Sequence, residues 1–183
     1  MKLSFKQLTV QFINEPNYNI NSSDNLNSYH LVHFAEESQN CTNCHGIKVT
    51  GIEEVFSAIV LANGGTTGIH SNCAIIQEEE ILICCGDHVF CLSLPTLELK
   101  WKVKVDMATA FQIQLIKGGY IVHGELEISR IDLSGNIIWQ QSGTDIFVHP
   151  EGAHNFKLLN ERVEVTDWNN RKYCFDLVGN LLN

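Results

Sequence analysis

A strand–turn–strand unit recurs in this chain and limits the folds that are available to it. Its copies are VFCLSLPTLELKW (residues 89–101), LEISRIDLSGNIIW (126–139) and RKYCFDLVGNLL (171–182). The first two copies end in Trp101 and Trp139, which stand 38 residues apart, and the third copy lacks the tryptophan. Ile138 and Leu181 stand 43 residues apart. The repeat predicts similar small antiparallel sheets that follow one another along the chain.

Short β-rich runs separated by turns fill the chain from about residue 47 onward. Gly64-Gly65, Gly86-Asp87 and Gly118-Gly119 are among the turn signals that separate them. Turns at this density, with few segments of helical length and period, predict an all-β protein. The segment GIEEVFSAIVLANG (51–64) fits a helix or a buried strand, and we favour the strand.

The first 46 residues are predicted to form one strand followed by a long polar loop. KLSFKQLTVQFI alternates apolar and polar residues with one slip in register, and NEPNYNINSSDNLNS (14–28) is rich in Asn and Ser. We therefore expect a single β domain over 1–183, with an N-terminal strand and polar loop (1–46) before the repeated β-sheet region (47–183). The first residues lack the continuous apolar stretch of a signal peptide, so the expected location is the cytoplasm.

The repeated pattern of apolar strand, D-x-x-G-x, apolar pair and Trp resembles the blade signature of quinoprotein-type β-propellers. In those proteins a hairpin ends in a tryptophan that packs between blades. The resemblance covers roughly residues 70–183, with departures at the glycine-free turn Leu94-Pro95-Thr96 and at Asn183, where Trp is expected. It implies a propeller-like fold of about four blades. A small closed propeller, an open stack of sheets and a partial propeller completed by a second subunit all remain open. In an open stack, the N-terminal region would cover an exposed sheet edge.

The charge balance limits the classes of partner that the chain is expected to bind. The formal net charge is −9, from 12 Lys and Arg against 21 Asp and Glu. Nucleic acid and anionic membrane both require a basic surface, so neither is an expected partner. An acidic surface favours a basic protein partner. The seven cysteines include the adjacent pair Cys84-Cys85, and they are predicted to be buried thiols of a reducing compartment.

The string CTNCH (41–45) is the one short chemical motif in the chain. C-x-x-C-H is the attachment sequence of c-type haem, which requires export and usually a distal methionine. Cys41 and Cys44 would supply two of the four ligands that zinc needs, and His45 is next to Cys44 in sequence. Other residues that could complete a zinc site, at irregular spacing, are His30, His33 and Cys73. We expect two thiols in a polar loop and no cofactor, with Cys41, Cys44 and His45 as a less favoured metal set.

Other polar candidates lie beside turns. The glycine-rich loop ANGGTTGIHSN (62–72) lacks the Gly-Lys-Ser/Thr ending of a phosphate-binding loop, and its His70 is expected to be exposed. In VHGELE (122–127), His123 and Glu125 would share a strand face and could act as general acid and base, unless Gly124 marks a bend.

Strand ends carry three aspartates and one further tryptophan of interest. Asp106, Asp145 and Asp167 stand where catalytic groups often lie, although aspartate at such positions more often fixes a turn. Trp168 precedes a turn and would anchor an interface if its ring is exposed.

The favoured function is a non-enzymatic, cytosolic protein-binding module. Its candidate contact residues are His70, Asp106, His123, Glu125, Asp145 and Trp168. The tail from GYIVHGELEISRIDLSGNIIWQQSGTDIFV to TDWNNRKYCFDLVGNLL is similar to small bacterial proteins, some of which are immunity proteins for secreted toxins. This resemblance implies tight binding to a basic toxin domain, such as a nuclease, and occlusion of its active site.

Two alternatives stay open. One is a metal-binding or hydrolytic enzyme that uses Cys41, Cys44 and a histidine, or His123 and Glu125. The other is a scaffold that only forms homo-oligomers.

Overall fold

The computed structural model describes residues 1–36, 41–51, 54–149 and 155–182, and its regular elements are all β-strands. The strands are β1 Lys2–Phe5, β2 Leu8–Asn14, β3 Leu31–Phe34, β4 Asn43–Thr50, β5 Val55–Ala62, β6 Ala74–Gln77, β7 Glu80–Cys85, β8 His88–Ser93, β9 Leu99–Lys104, β10 Ala110–Ile116, β11 Gly119–Gly124, β12 Glu127–Ile131, β13 Ile137–Ser142, β14 Phe156–Leu159, β15 Arg162–Thr166 and β16 Lys172–Asp176. The predicted all-β class is confirmed, and the ambiguous segment 51–64 contributes strand β5. No helix that could span a membrane occurs in the described part of the chain.

The strands form four sheets that follow the order of the chain. The first sheet has the order β1-β2-β4-β5-β3, and the second is β6-β7-β8-β9. The third sheet is β10-β11-β12-β13, and the fourth is β14-β15-β16. All neighbours pair antiparallel except β3 and β5, which are parallel.

Apolar clusters hold each sheet against the next. Ile47 and Val60 of the first sheet pack with Ile83 and Phe90 of the second. Leu82 and Val89 of the second sheet pack with Ile113 and Val122 of the third. Ile121 and Ile128 of the third sheet pack with Val163 and Phe175 of the fourth. Both faces of the two middle sheets are therefore buried, which explains why the β7 sequence EILICC is apolar at nearly every position.

The sheets form an open row. The outer face of the first sheet is covered by the 15–30 segment, because Cys44, Ile59 and Leu61 pack there with Tyr18 and Tyr29. Among the described residues, no buried apolar cluster joins the fourth sheet to the first. Of the arrangements left open by the sequence, the open stack is the one seen within this chain.

The N-terminal region differs from the sequence prediction. In place of one strand and a polar loop up to residue 46, strands β1, β2 and β3 and the start of β4 all lie in the first sheet. The 15–30 segment does act as a cover, but it lies on a sheet face and not along an edge. The start of β4, before residue 47, was missed because its polar residues Asn43 and His45 are buried with hydrogen-bond partners from distant segments.

The repeated tryptophans pack between neighbouring sheets, as the resemblance implied. Trp101 lies against Gly135 in the next sheet, where an added Cβ would be 2.6 Å from the indole ring. Trp139 lies against Gly179 in the same way, at 2.8 Å, and its Nε1 donates to the carbonyl oxygen of Leu177 at 3.0 Å. Both glycines have a positive φ, +83° and +95°, which L side chains rarely adopt. Only glycine fits both the turn and the indole at these two positions.

Candidate functional site

The connections at one end of the sheets form a continuous surface, which we call the loop end. It comprises the connections 63–73, 105–109 and 143–149 and the hairpin turns 86–87, 125–126 and 167–171. All six residues that the sequence proposed as protein contacts lie in or beside these segments: His70, Asp106, His123, Glu125, Asp145 and Trp168.

Backbone hydrogen bonds join the loops of one sheet to those of the next. Asp87 N donates to Asn63 O at 3.1 Å, and Ala110 N donates to Gly86 O at 2.7 Å. Further along the row, bonds run from Glu125 N to Thr109 O, from Phe147 N to Glu125 O and from Trp168 N to Ile146 O, at 2.6–2.8 Å. The loop end is thus a braced surface, and its side chains are held in fixed positions relative to each other.

Asp106 is a buried support of this surface, since it is 1% exposed. Its Oδ1 accepts from Ala108 N at 2.6 Å and Thr109 N at 2.9 Å, and its Oδ2 accepts from Leu126 N and Glu127 N, both at 2.9 Å. The carboxylate therefore ties the connection 105–109 to the turn after β11. It fixes a turn, and its burial leaves it out of reach of a partner.

His123 is also buried, and its ring is fully engaged. Gln112 Nε2 donates to His123 Nδ1 at 3.1 Å, and His123 Nε2 donates to Phe147 O at 3.0 Å, which assigns the proton to Nε2. The ring stacks on Phe156 at a centroid distance of 4.8 Å. Burial lowers the pKa of His123 to about 4, because the imidazolium would lose its hydration. The ring is therefore neutral at physiological pH.

The proposed acid–base pair of His123 and Glu125 is not formed. Strand β11 ends at Gly124, which is the bend that the sequence left open. Beyond it, Glu125 Oε2 accepts a hydrogen bond from Thr109 Oγ1 at 2.8 Å. The two candidate residues bond to different partners, and no proton-transfer contact links them.

His70 and His123 line one shallow depression of about 450 Å³ between the third sheet and its neighbours. His70 is exposed, with Nε2 at 2.9 Å from Phe111 O. Phe111 and His149 line the same depression, and sequence reasoning missed both. Their convergence depends on the spacing of the sheets, for which the sequence contains no local signal.

Trp168 gives the loop end an exposed aromatic ring, with 44% of the side chain accessible. Its turn is rigid because the buried Asp167 Oδ1 accepts from Asn169 N at 3.0 Å and Arg171 N at 2.9 Å. Hydrogen bonds with these N–H groups and with Tyr173 hold the pKa of Asp167 below its usual value, against the opposing effect of burial. Asp145, beside this turn, accepts from Asn169 Nδ2 at 2.5 Å.

Met107 is a second large apolar group at the loop end, and it is 70% exposed. It follows the buried Asp106, whose four hydrogen bonds fix the backbone of its loop. Sequence reasoning missed Met107 as a contact residue. Its exposure follows from the turning of the loop around Asp106.

The CTNCH residues do not form a common ligand set. Cys44 and His45 are neighbours in strand β4, so their side chains point to opposite faces of the sheet. Cys44 faces the 15–30 segment and a cavity of about 340 Å³, which Cys41 also lines. His45 faces the second sheet, with Nδ1 at 3.2 Å from Cys84 O and Nε2 at 3.4 Å from Thr67 O. The prediction that the motif lies in a polar loop was wrong for Asn43, Cys44 and His45, which lie in β4, whereas Cys41 and Thr42 precede the strand.

The chemistry of these side chains follows their burial. Burial raises the pKa of the Cys44 thiol to about 11, raises that of Cys41 and lowers that of His45. In the ranges that the structure describes, no group of three or more His, Cys, Asp or Glu side chains is arranged to hold a metal ion. The ligand set Cys41, Cys44 and His45 is therefore inconsistent with this fold, because the pleat of β4 separates its members.

The chain was compared with known proteins at three levels. No protein-family model matches it, and no curated protein matches it in sequence. Solved structures do match. BamB from Moraxella catarrhalis has a TM-score of 0.51 at 11% identity, over 84% of this chain and 47% of that one. The β-propeller domain of Cps50 (Swd1) from Myceliophteria thermophila has a TM-score of 0.51 at 10% identity, over 75% of this chain and 53% of that one.

A third match spans the whole chain. HIRA(644-1017) has a TM-score of 0.50 at 7% identity, over 100% of this chain and 51% of that one. The chain thus spans about half the length of these structures. At such identities the likeness concerns the fold alone, and it confirms that the fold is propeller-like.

Proposed function

We propose that the protein is a non-enzymatic protein-binding module and that its loop end docks on a protein partner. The observation that carries the proposal is the exposure of Trp168 and Met107 on rigid turns of one braced surface. Exposed aromatic and methionine side chains on a fixed frame are typical of interface anchors, since little conformational entropy is lost when they are covered.

The charge of the molecule favours a basic partner. The chain has a formal net charge of −9, and the half-exposed carboxylates Glu125 and Asp145 lie at the loop end. Complementary charge speeds association and selects against acidic competitors. In its finer form, the proposal is that the partner is a basic bacterial toxin domain and that this chain acts in the cytoplasm as its immunity protein.

The enzymatic alternative has less support from the geometry. His123 is buried and neutral, and it bonds to Gln112 and Phe147 while Glu125 bonds to Thr109. The carboxylates of Asp106 and Asp167 accept hydrogen bonds from backbone N–H groups of the loop end. These buried polar side chains therefore hold the loops in place.

The experiment is a pull-down with the purified chain as bait against products of neighbouring genes, followed by calorimetric titration of the captured partner. Trp168→Ala is expected to weaken binding at least about thirtyfold, as an interface anchor does. Met107→Ser is expected to weaken binding by a smaller factor. Leu26→Ser, at an exposed position in the 15–30 segment, is the matched control and should bind as the unmodified chain does.

Salt and variant data together decide the proposal. With a basic partner, the association rate should fall steeply as ionic strength rises. Equal affinities for the unmodified chain and Trp168→Ala would refute the loop end as the interface. A chain that captures no neighbouring gene product would refute the immunity role.

A further inference from the structure

A second apolar surface lies on two neighbouring hairpins, away from the loop end. The hairpins are β12–β13 in the third sheet and the turn 176–182 after β16 in the fourth. Six large aliphatic side chains on them are between 40% and 68% exposed, and we call this set the rim patch: Leu133, Ile137, Ile138, Val178, Leu181 and Leu182. Exposed aliphatic groups concentrated in this way mark an interaction surface more often than scattered ones do.

Two side-chain hydrogen bonds and an indole contact join β13 to the turn 176–182. Trp139 Nε1 donates to Leu177 O at 3.0 Å, and Gln141 Nε2 donates to Gly179 O at 2.9 Å. The same indole packs on Gly179. These contacts hold the β13 strand against the turn that carries Val178.

The edge strand of the patch lacks the charges that normally protect a sheet edge. Strand β13, sequence IIWQQS, is the outer strand of the third sheet and has no charged residue. The corresponding outer strand of the second sheet is β9, sequence LKWKVK, in which every second residue is lysine. Lysine on an edge strand blocks pairing with another strand, because the pairing would bury its charge.

The register of the two hairpins gives a residue-by-residue comparison. In β9 the pairing shifts between Trp101 and Leu99, so Lys100 is the bulged residue. In β13 the same shift occurs between Trp139 and Ile137, so Ile138 is the bulged residue. At this equivalent position of the repeat, the second sheet has the charged Lys100 and the third sheet has the exposed Ile138.

We propose that the rim patch is the interface between two copies of this chain, with their β13 edges antiparallel about a twofold axis. The occupant must supply an uncharged, extended edge beside aliphatic side chains, and a second β13 supplies this by symmetry. Two chains of net charge −9 repel each other on average, and this repulsion is weakest along a strand such as β13 that has no charged residue. Asp132 and Asp176 hold the two turns of the patch, so the charge-free part of the interface is the β13 edge itself.

An apolar patch beside an unpaired strand edge can form a dimer interface. A stable interface covers about 800 Å² on each partner, with an apolar centre. Antiparallel strand pairing along Trp139–Ser142 would lie at the twofold axis and supply backbone hydrogen bonds, and the aliphatic groups of each copy would pack to either side of it.

The test is sedimentation velocity of the full chain over protein concentrations from about 1 to about 100 µM. The expected result is a shift from the 20.6 kDa chain to twice that mass as concentration rises. Ile138→Lys copies the residue that β9 has at the same position, and it should weaken dimerisation at least about tenfold. Leu26→Lys places the same charge on an exposed leucine elsewhere and should leave dimerisation unchanged.

Two further measurements keep the test decisive. Leu133→Lys lies on the turn, outside the strand ladder, so it tests the patch even if Ile138→Lys disturbs the fold; a loss of dimer is again expected. Amide hydrogen exchange should slow in Trp139–Ser142 as concentration rises. A chain that stays monomeric at every concentration, or a dimer that survives both lysine variants, would overturn the proposal. Trp168→Ala should keep the dimer, so failure of the partner-binding proposal would be seen separately.

Discussion

The buried imidazole of His123 should make the fold sensitive to mild acid. Its pKa is lowered from 6.5 to about 4 in the folded chain, because burial removes the water that would stabilise the charged ring. The unfolded chain keeps the ordinary value, so it takes up a proton first as the pH falls. The stabilisation from a neutral His123 is therefore complete above about pH 6.5 and is lost progressively down to about pH 4.

The size of the effect follows from the shift. One pKa unit corresponds to about 1.4 kcal/mol, so a shift of about 2.5 units limits the total loss to about 3.4 kcal/mol. Between pH 7 and pH 5, proton linkage gives a loss of about 2 kcal/mol. This is a substantial part of the roughly 5–15 kcal/mol that is usual for a domain's total stability.

The assay is urea unfolding of the unmodified chain and of His123→Gln at pH 7, 6 and 5. The substitution lowers stability at every pH, but it removes the titrating group, so the readout is the change in unfolding free energy with pH. The unmodified chain should lose about 2 kcal/mol more than His123→Gln between pH 7 and pH 5. The buried His45 is present in both proteins and cancels in this difference.

His70→Gln is the matched control, because His70 lines the same depression but is exposed. It should retain the pH dependence of the unmodified chain. The two proteins could instead lose the same stability, within about 0.5 kcal/mol, between pH 7 and pH 5. The inference that His123 is uncharged and shielded from water would then be wrong.

Further variants test the joints between sheets, the loop support and the thiols. Gly179→Ala should destabilise the fold by about 2 kcal/mol, because the φ of Gly179 is +95° and the new Cβ would lie 2.8 Å from Trp139. Thermal unfolding measures this loss. Gly118→Ala is the control and should destabilise the fold less, because Gly118 also has a positive φ, +79°, but no atom lies within 4 Å of its added Cβ. Asp106→Ala should cost at least about 3 kcal/mol in urea unfolding, since it leaves four backbone N–H groups without their acceptor; a smaller cost would show that these groups find other partners. Cys44, whose pKa is raised to about 11, should react with iodoacetamide at pH 8 about a hundredfold more slowly in the folded chain than in urea, and equal rates would contradict its burial.

The repeated half of the fold could be predicted because its signals are local. The turn Asp132–Asn136 shows why: Asp132 Oδ1 accepts from Ser134 N and Asn136 N at 2.8 and 2.9 Å, so five consecutive residues define the hairpin. In the fourth sheet, Asp176 Oδ1 accepts from Val178 N and Asn180 N in the same way, at 3.0 and 2.8 Å. The sequence D-x-x-G-N therefore contains the whole turn, and the adjacent tryptophan indicates the packing.

The first sheet could not be predicted in the same way, because its determinants are distant in sequence. Strand β3 pairs in parallel with β5, although the whole of β4 lies between them in the sequence. Asn43 Oδ1 accepts from Thr67 N at 2.7 Å, and this distant partner is what allows the asparagine to be buried in a strand. A polar residue of this kind looks like a loop residue unless its partner is known.

Neither the grouping of the candidate residues nor their exposure could be predicted from the sequence. Candidate residues next to turns fell at one end of the sheets, because antiparallel strands return alternate turns to the same end. Asp106 and His123 turned out to be buried supports, whereas Trp168 is exposed. Burial depends on how closely neighbouring sheets pack, and the type of a residue beside a turn does not determine that.

The two ends of the row explain how four sheets can be stable without closing into a ring. A terminal repeat needs a covered or polar outer face, since it has no neighbour on that side. The first sheet is covered by the 15–30 segment, and the outer face of the fourth is polar, with Lys157 opposite Glu164 and Arg162 at 2.8 Å from Glu164. Stacking a second subunit on that polar face would bury charges, so a ring completed face to face is disfavoured. Association along the uncharged strand β13 avoids this cost and leaves both end faces as they are.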